Sequence, residues 1–265
     1  MVVVKTAVLM HATHPALFQV TTYSALLWTG LGALSYPADS RAAGPGAPPP
    51  LRQLAGGLAP EALHHARRTR AGVVGVVGLT GLTILSGAFV AGNDAGRAYN
   101  TYPLMDGQLV PWDDLVDPAL APRWRNLFEN TATVQFNHRA LGTCTALGAL
   151  GAAGFGLLHP AGRCTPQVRR GLVALGGAAT AQMSLGIATL LTYVPLNLAA
   201  SHQLGSLVVL TCGMYTAHSL RYAGQSALSR AGGQVAQGLV RGNGGGGVIQ
   251  KGALVVNKVA RFTGR

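Results

Sequence analysis

The sequence predicts an all-α fold: a polytopic membrane protein with about five transmembrane helices. Three observations predict it. First, only 11% of the 265 residues are charged against 49% hydrophobic, and mean hydropathy is +0.31. A soluble domain carries about 25% charged residues. Second, five segments free of Asp, Glu, Lys and Arg have lengths near the roughly 20 residues that cross a bilayer as a helix. They are Pro15–Tyr36, Ala71–Gly92, Ala140–Leu158, Leu172–Val194 and Ala199–Ala217. Third, charge alternates with the spans, as the bias of basic residues toward the inner side requires.

The spans follow in order. The first, within residues 1–36, is diluted by Gln19, Thr21, Thr22 and Ser24. Residues 37–70 form a basic linker rich in Pro and Gly ("AAGPGAPPP"), ending in "HHARRTR". That collar reads as an interfacial anchor; a metal pair at His64–His65 is disfavoured, because adjacent residues do not share a helix face. Residues 71–220 hold the other four spans, expected to form a four-helix domain, with an outer loop at 93–133. Glycine and alanine in these spans suit close helix packing in lipid. The loop is long enough to carry function or its own structure. Trp112 and Trp124 read as interface residues. Residues 221–265 form a basic, glycine-rich tail ("GNGGGG") expected to be flexible.

The formal charge of +12 is topology, not a nucleic-acid surface. Arg41, Arg52, Arg67, Arg68, Arg70, Arg163, Arg169, Arg170 and the basic tail all fall on one side of the alternating spans. Asp94, Asp106, Asp113, Asp114, Asp117 and Glu129 fall on the other. The acidic loop therefore faces outward. Cys144 and Cys212 read as core filler and Cys164 as a lone loop cysteine. No spacing suggests zinc or a disulfide framework.

His138 begins the third span and His202 the fifth, both from the outer side, so two imidazoles lie at the same depth in the membrane. Intramembrane ionisable residues are functional by default. Gly142 and Gly205 follow them at helical spacing and share their faces, which predicts open space beside each ring. A flat cofactor held by two axial histidines needs that arrangement, as in bundle heme proteins. No carboxylate or cysteine lies near in sequence to complete a bare ion's shell, so heme is favoured. Arg139 is placed to pair with a heme propionate; the alternative is ordinary snorkelling. His11 and His14 lie beside Pro15 in a ragged N-terminus, His14 being a candidate ligand for a second site. His159 and His218 read as interface residues. A rival reading of the paired histidines is proton transfer in a small transporter.

"SGAFVAGNDAGRAYNTYPLM" (residues 86–105), "NLFENTATVQFNHRALG" (126–142) and "PLNLAASHQLGSLVVLT" (195–211) together resemble the heme A synthase family, mitochondrial and alphaproteobacterial type. The resemblance runs from about Leu17 to Leu220, with the motifs in family order. It implies two similar four-helix halves, each offering a histidine pair, the C-terminal half binding heme b. It implies oxidation of a methyl group of heme O to the formyl group of heme A, for cytochrome c oxidase. His138 and His202 fall on the iron ligands of the heme b half, and the Asp94–Asn100 segment on the loop covering it. The chain then corresponds to that half plus one preceding span. A separate N-terminal half or a homo-oligomer is expected to complete the catalytic site, whose residues stay unknown; the alternative is a non-catalytic heme-binding or assembly subunit, or a truncated product lacking the substrate half. Expected partners are heme O and the lipid bilayer, not nucleic acid. The mitochondrial inner membrane is the expected location, the bacterial plasma membrane the alternative.

Overall fold

Helix starts follow local chemistry. Pro60 and Pro166 each occupy a first turn, where their missing N–H costs nothing. Thr165 caps the second of these by accepting from the Val168 N–H at 3.4 Å. The computed structural model describes residues 2–40, 58–158 and 164–223, with side chains of the first helix described for residues 15–34. The helices are α1 (Val2–Ser40), α2 (Pro60–Gly92), the short α3 (Asn126–Glu129), α4 (Thr131–Leu158), α5 (Pro166–Leu191) and α6 (Leu196–Ser219). Two 3-10 turns, Ala95–Arg97 and Arg123–Arg125, lie in the outer loop. Among the described residues α2, α4 and α5 are long and apolar enough to cross a membrane. With 24 residues α6 has the length, but its outer end carries Asn197, Ser201, His202 and Gln203. The chain is an all-α integral membrane protein.

Helices α2, α4, α5 and α6 pack in a ring, and α1 lies against α2 and α6. Tyr23 on α1 bonds Thr211 at 2.6 Å, and Trp28 meets His218 edge to face at 5.1 Å. His218 is thus a buried packing residue, not the interface residue expected. Its ring lies against Trp28 of α1, and its Nδ1 stands 3.0 Å from the Arg221 guanidinium.

The structure differs from the sequence expectation at several boundaries: α1 continues to Ser40, into the expected linker, and α4 starts at Thr131, inside the expected loop. The stretch read as linker through residue 70 is helical from Pro60, so the basic collar forms the first turns of α2. There His65 is buried against Phe155, ring centres 4.6 Å apart, and Arg68 lies over the same ring. The expected anchor at His65 is therefore a core contact, while His64 stays exposed. A 33-residue helix is about 50 Å long, more than the roughly 30 Å hydrocarbon, so its first turns project on the basic side. The fourth span was expected to reach Val194, but α5 ends at Leu191. Tyr193 and Val194 then take left-handed backbone (φ 62° and 59°), and the Val194 N–H returns to the Thr189 carbonyl. Pro195 follows and disfavours helix in the residue before it. Val194 packs on Gly96, where an added Cβ would lie 3.1 Å from it.

The packed core occupies one half of the ring. Val73 and Val76 of α2, Ala149 and Ala153 of α4, Leu172 and Leu175 of α5, and Val209 and Ala217 of α6 are buried together. All lie toward the basic ends of their helices. Helices approach closely there: a Cβ on Gly171 would stand 3.3 Å from the Thr216 Cα, and one on Gly156 would stand 2.6 Å from the Leu172 side chain. Lipid supplies no hydrophobic drive between helices, so such small-residue contacts hold the bundle. Toward the outer end, inward positions such as Gly142, Gln182, Gly186 and Gly205 are only half-buried. The buried packing thus lies toward the basic end, where α2 and α4 also border an open groove lined by Arg68, Gly72, Gly75, Gly148 and Phe155; around the two histidines the inward positions are half-buried.

Candidate functional site

His138 enters from α4 and His202 from α6. Their ring centres lie 6.3 Å apart, with planes at 87°. Two imidazoles on opposite sides of one metal ion stand about 6 Å apart, from metal–nitrogen bonds of about 2 Å and ring radii of about 1 Å. The separation fits that arrangement. Direct imidazole–imidazole contact through a hydrogen bond is absent, and His202 Nδ1 is buried without a hydrogen-bond partner among the described residues.

The neighbouring helices define each ring's position. On α2, Ser86 Oγ lies 2.7 Å from His138 Nδ1, and a Cβ on Gly87 would stand 3.2 Å from His138 Cε1. On α5, a Cβ on Gly186 would stand 2.6 Å from His202 Cε1. Each ring therefore lies against a bare stretch of the preceding helix. Sequence reasoning looked for these glycines on the histidines' own helices and missed Gly87 and Gly186. The available signal was positional: each lies just over one turn from its helix end, opposite a histidine nearly two turns into the next long helix.

The glycines expected to leave open space divide. Beside Gly142 an added Cβ meets nothing within 4 Å, so that side of His138 is open. Gly205 is different. Its face is filled by the Gln182 carboxamide, which donates from Nε2 to the His202 carbonyl at 2.8 Å. The expectation of empty space at Gly205 is corrected: the glycine admits a side chain from α5.

Arg139, expected at a propionate, donates to the carbonyls of Tyr99 (2.8 Å) and Leu104 (3.4 Å). Gln135, one turn earlier, also donates to Tyr99 O at 3.0 Å. Arg139 thus ties the outer loop to α4, while its Nε is buried without a hydrogen-bond partner among the described residues. The loop is a folded cover. Asn130 Oδ1 caps α4 by accepting from Ala132 N (2.9 Å), and its Nδ2 donates to Asp114 O (2.8 Å) and Asn126 Oδ1 (3.1 Å). Thr133 donates to Leu115 O at 2.7 Å. Arg125 and Glu129 form a two-pronged ion pair at 2.8 and 2.6 Å. Asn100 fastens the loop to the end of α5 through Leu190 O at 2.9 Å. Asn130→Ala removes a cap and two further bonds from a buried position. We expect a loss of about 2 kcal/mol, read as faster proteolysis of the 93–133 loop and a lower thermal midpoint in detergent. An unchanged midpoint would contradict the cap.

Tyr99 donates to Asp114 Oδ2 at 2.5 Å. Burial, then the Asp114 carboxylate, pushes its phenol up from 10 to about 12. A raised value means that the folded loop holds this proton more tightly than the unfolded chain does. The contribution is complete below pH 10 and is lost as pH rises toward about 12. Wild-type loop stability, followed by the fluorescence of Trp112 and Trp124, should fall across that window. Tyr99→Phe should flatten the fall; identical profiles would exclude Tyr99 as its source.

The side chains of His11 and His14 lie outside the described residues, as does His159. The backbone at positions 11 and 14 is helical and continues through Pro15, where a ragged terminus was expected. Cys144 is exposed on α4, so it is not the core filler expected, whereas Cys212 and Cys164 are half-buried. Trp112 and Trp124 are exposed. Among the described residues no three His, Cys, Asp or Glu side chains form a metal-ion cluster.

The helices and the paired histidines define a class: polytopic helical membrane proteins with two imidazoles facing each other inside a bundle. The chain belongs to the COX15-CtaA family of cytochrome oxidase assembly proteins, whose family model matches residues 2–214. It is 41% identical to heme A synthase of Granulibacter bethesdensis, over 79% of this chain and 47% of that one. It is 43% identical to heme A synthase COX15 of Arabidopsis thaliana, over 54% of this chain and 30% of the relative. With heme A synthase COX15 of Homo sapiens it shares 45% identity, over 52% and 32%. The chain spans between about a third and a half of the length of these relatives. No solved structure matches it.

Proposed function

We propose that this chain binds a b-type heme between α4 and α6, where His138 and His202 would hold its iron. We further propose that it takes part in converting heme O to heme A for cytochrome c oxidase. The observation that supports this best is the 6.3 Å separation of two imidazoles from different helices, beside the open face of Gly142. When bound, the heme supplies one-electron transfer, tuned by its axial ligands and burial. The protein's own parts are distinct. His138 and His202 hold and orient the group. Gly87 and Gly186 let the Cε1 edges of their rings come up against neighbouring helices. The folded outer loop, tied down by Asn100, Asn130 and Arg139, shields the site from outer water. Arg139 adjoins His138 in sequence, and its Nε, without a hydrogen-bond partner among the described residues, would suit a propionate.

A second reading is a heme-binding subunit without chemistry of its own. It is favoured by one observation: the described residues bring together a single histidine pair. One experiment separates the two. The chain is expressed in cells lacking heme A synthase, and both the purified protein's spectrum and cellular heme A are measured. A low-spin spectrum with heme A supports the enzyme. A low-spin spectrum without heme A supports the binding subunit. Protein that takes up no heme excludes both.

A further inference from the structure

We propose that Ser86 is a positioning residue that fixes the tautomer of His138, with the proton on Nδ1 and the lone pair on Nε2. Its use in iron binding rests on the heme reading above; the tautomer itself does not.

The argument is a proton count. Ser86 Oγ lies 2.7 Å from His138 Nδ1 and 2.8 Å from the Thr83 carbonyl oxygen. A carbonyl only accepts, and a serine hydroxyl has one proton to give. Both contacts are hydrogen bonds only if that proton goes to Thr83 O. The Ser86 oxygen must then accept from His138, so Nδ1 carries hydrogen. A neutral imidazole has one N–H, and Nε2 is left with its lone pair. That is the form a metal-binding histidine needs, with its second nitrogen donating to a fixed acceptor.

The ring has little freedom to escape this bond. Its Cε1 edge lies against Gly87, the residue next to Ser86. Thr83 is itself held, its hydroxyl donating to Leu79 O at 2.8 Å and meeting Thr145 at 2.9 Å. His202 shows the contrast. It too lies against a glycine, Gly186, but the residue before that glycine is Leu185, and His202 Nδ1 has no hydrogen-bond partner among the described residues. The two histidines are alike in placement and unlike in what fixes their protons.

The donated bond also makes the His138 ring a more basic ligand, which favours the oxidised iron. Its removal should weaken heme binding by about 10- to 100-fold and raise the reduction potential. The test uses the full chain in lipid nanodiscs as wild type, Ser86→Ala and Ser86→Thr, with and without added heme b. In the heme-free proteins, ¹⁵N spectra of labelled histidine should show His138 as a single Nδ1–H tautomer in wild type and Ser86→Thr. A mixture is expected in Ser86→Ala. In the loaded proteins, Ser86→Ala should have lower heme affinity and a higher potential, and Ser86→Thr should restore both. An Nε2–H tautomer in wild type overturns the proposal. So does Ser86→Ala with wild-type tautomer, affinity and potential. If wild type takes up no heme, the heme reading fails alone, and the heme-free spectra still decide the role of Ser86.

Discussion

His138→Ala or His202→Ala, each made singly, is expected to abolish the low-spin heme spectrum and lower heme retention more than about 100-fold. Losing a partner that merely orients a ligand costs 10- to 100-fold, so losing an axial ligand should exceed that. The two variants should behave alike, because the rings stand opposite each other at 6.3 Å. Neither should unfold the bundle. The buried core lies toward the other ends of the helices, around Val73, Ala149, Leu172 and Val209. The measurement is the absorption spectrum and heme content of purified protein, beside helicity by circular dichroism. If either variant keeps a full low-spin spectrum, its histidine is not a ligand. If helicity collapses, the histidine is needed for folding, and the separation of core from site is wrong.

The second large effect contrasts two glycines. Gly186→Leu places a Cβ where only 2.6 Å separates it from His202 Cε1, so the ring must leave its position. Heme retention should fall by at least about 10-fold, on the scale of disturbed ligand orientation, and the heme-free protein should also lose stability through overpacking, by about 1–3 kcal/mol. Gly142→Leu meets nothing within 4 Å at its Cβ. The heme-free protein should keep its thermal midpoint, while the added side chain occupies space assigned to the porphyrin and lowers heme affinity. The pair therefore separates steric damage to a ligand from obstruction of the cofactor. Equal heme affinity in Gly142→Leu and wild type would remove Gly142 from the site.

Much of this architecture is legible along the chain. Charge-free runs of bilayer length identify helices because a backbone in lipid has few other ways to pair its N–H and C=O groups. The alternation of arginine-rich and aspartate-rich connections orders their ends. Counting those ends brings His138 and His202 to one depth, although they are far apart in sequence. Motifs spread over residues 86–211 are distinctive enough to carry the family, which the family model's match over residues 2–214 supports independently.

Other features were out of reach for a definite reason. Sequence spacing reports which residues share a face of one helix; it does not report what the next helix brings to that face. Gly205 looked like a vacancy on its own helix, and only packing shows that Gln182 from α5 fills it. Gly87 and Gly186 were invisible as ring supports because their partners lie on other helices. Arg139 read as a propionate partner, or else a snorkelling cation, at a helix end; two carbonyls of a distant loop occupy its guanidinium. His65 looked like a surface anchor until Phe155 of α4 was placed against it.

The sequence by itself determined the class of protein, where its long apolar helices run and which two histidines face each other. Those follow from solvation and chain direction, which are local or cumulative properties. The tertiary structure alone decided how far apart the rings stand, which side of each is open, and which atom Ser86 offers to His138. Those are distances between helices, set by the small residues that let one backbone approach another.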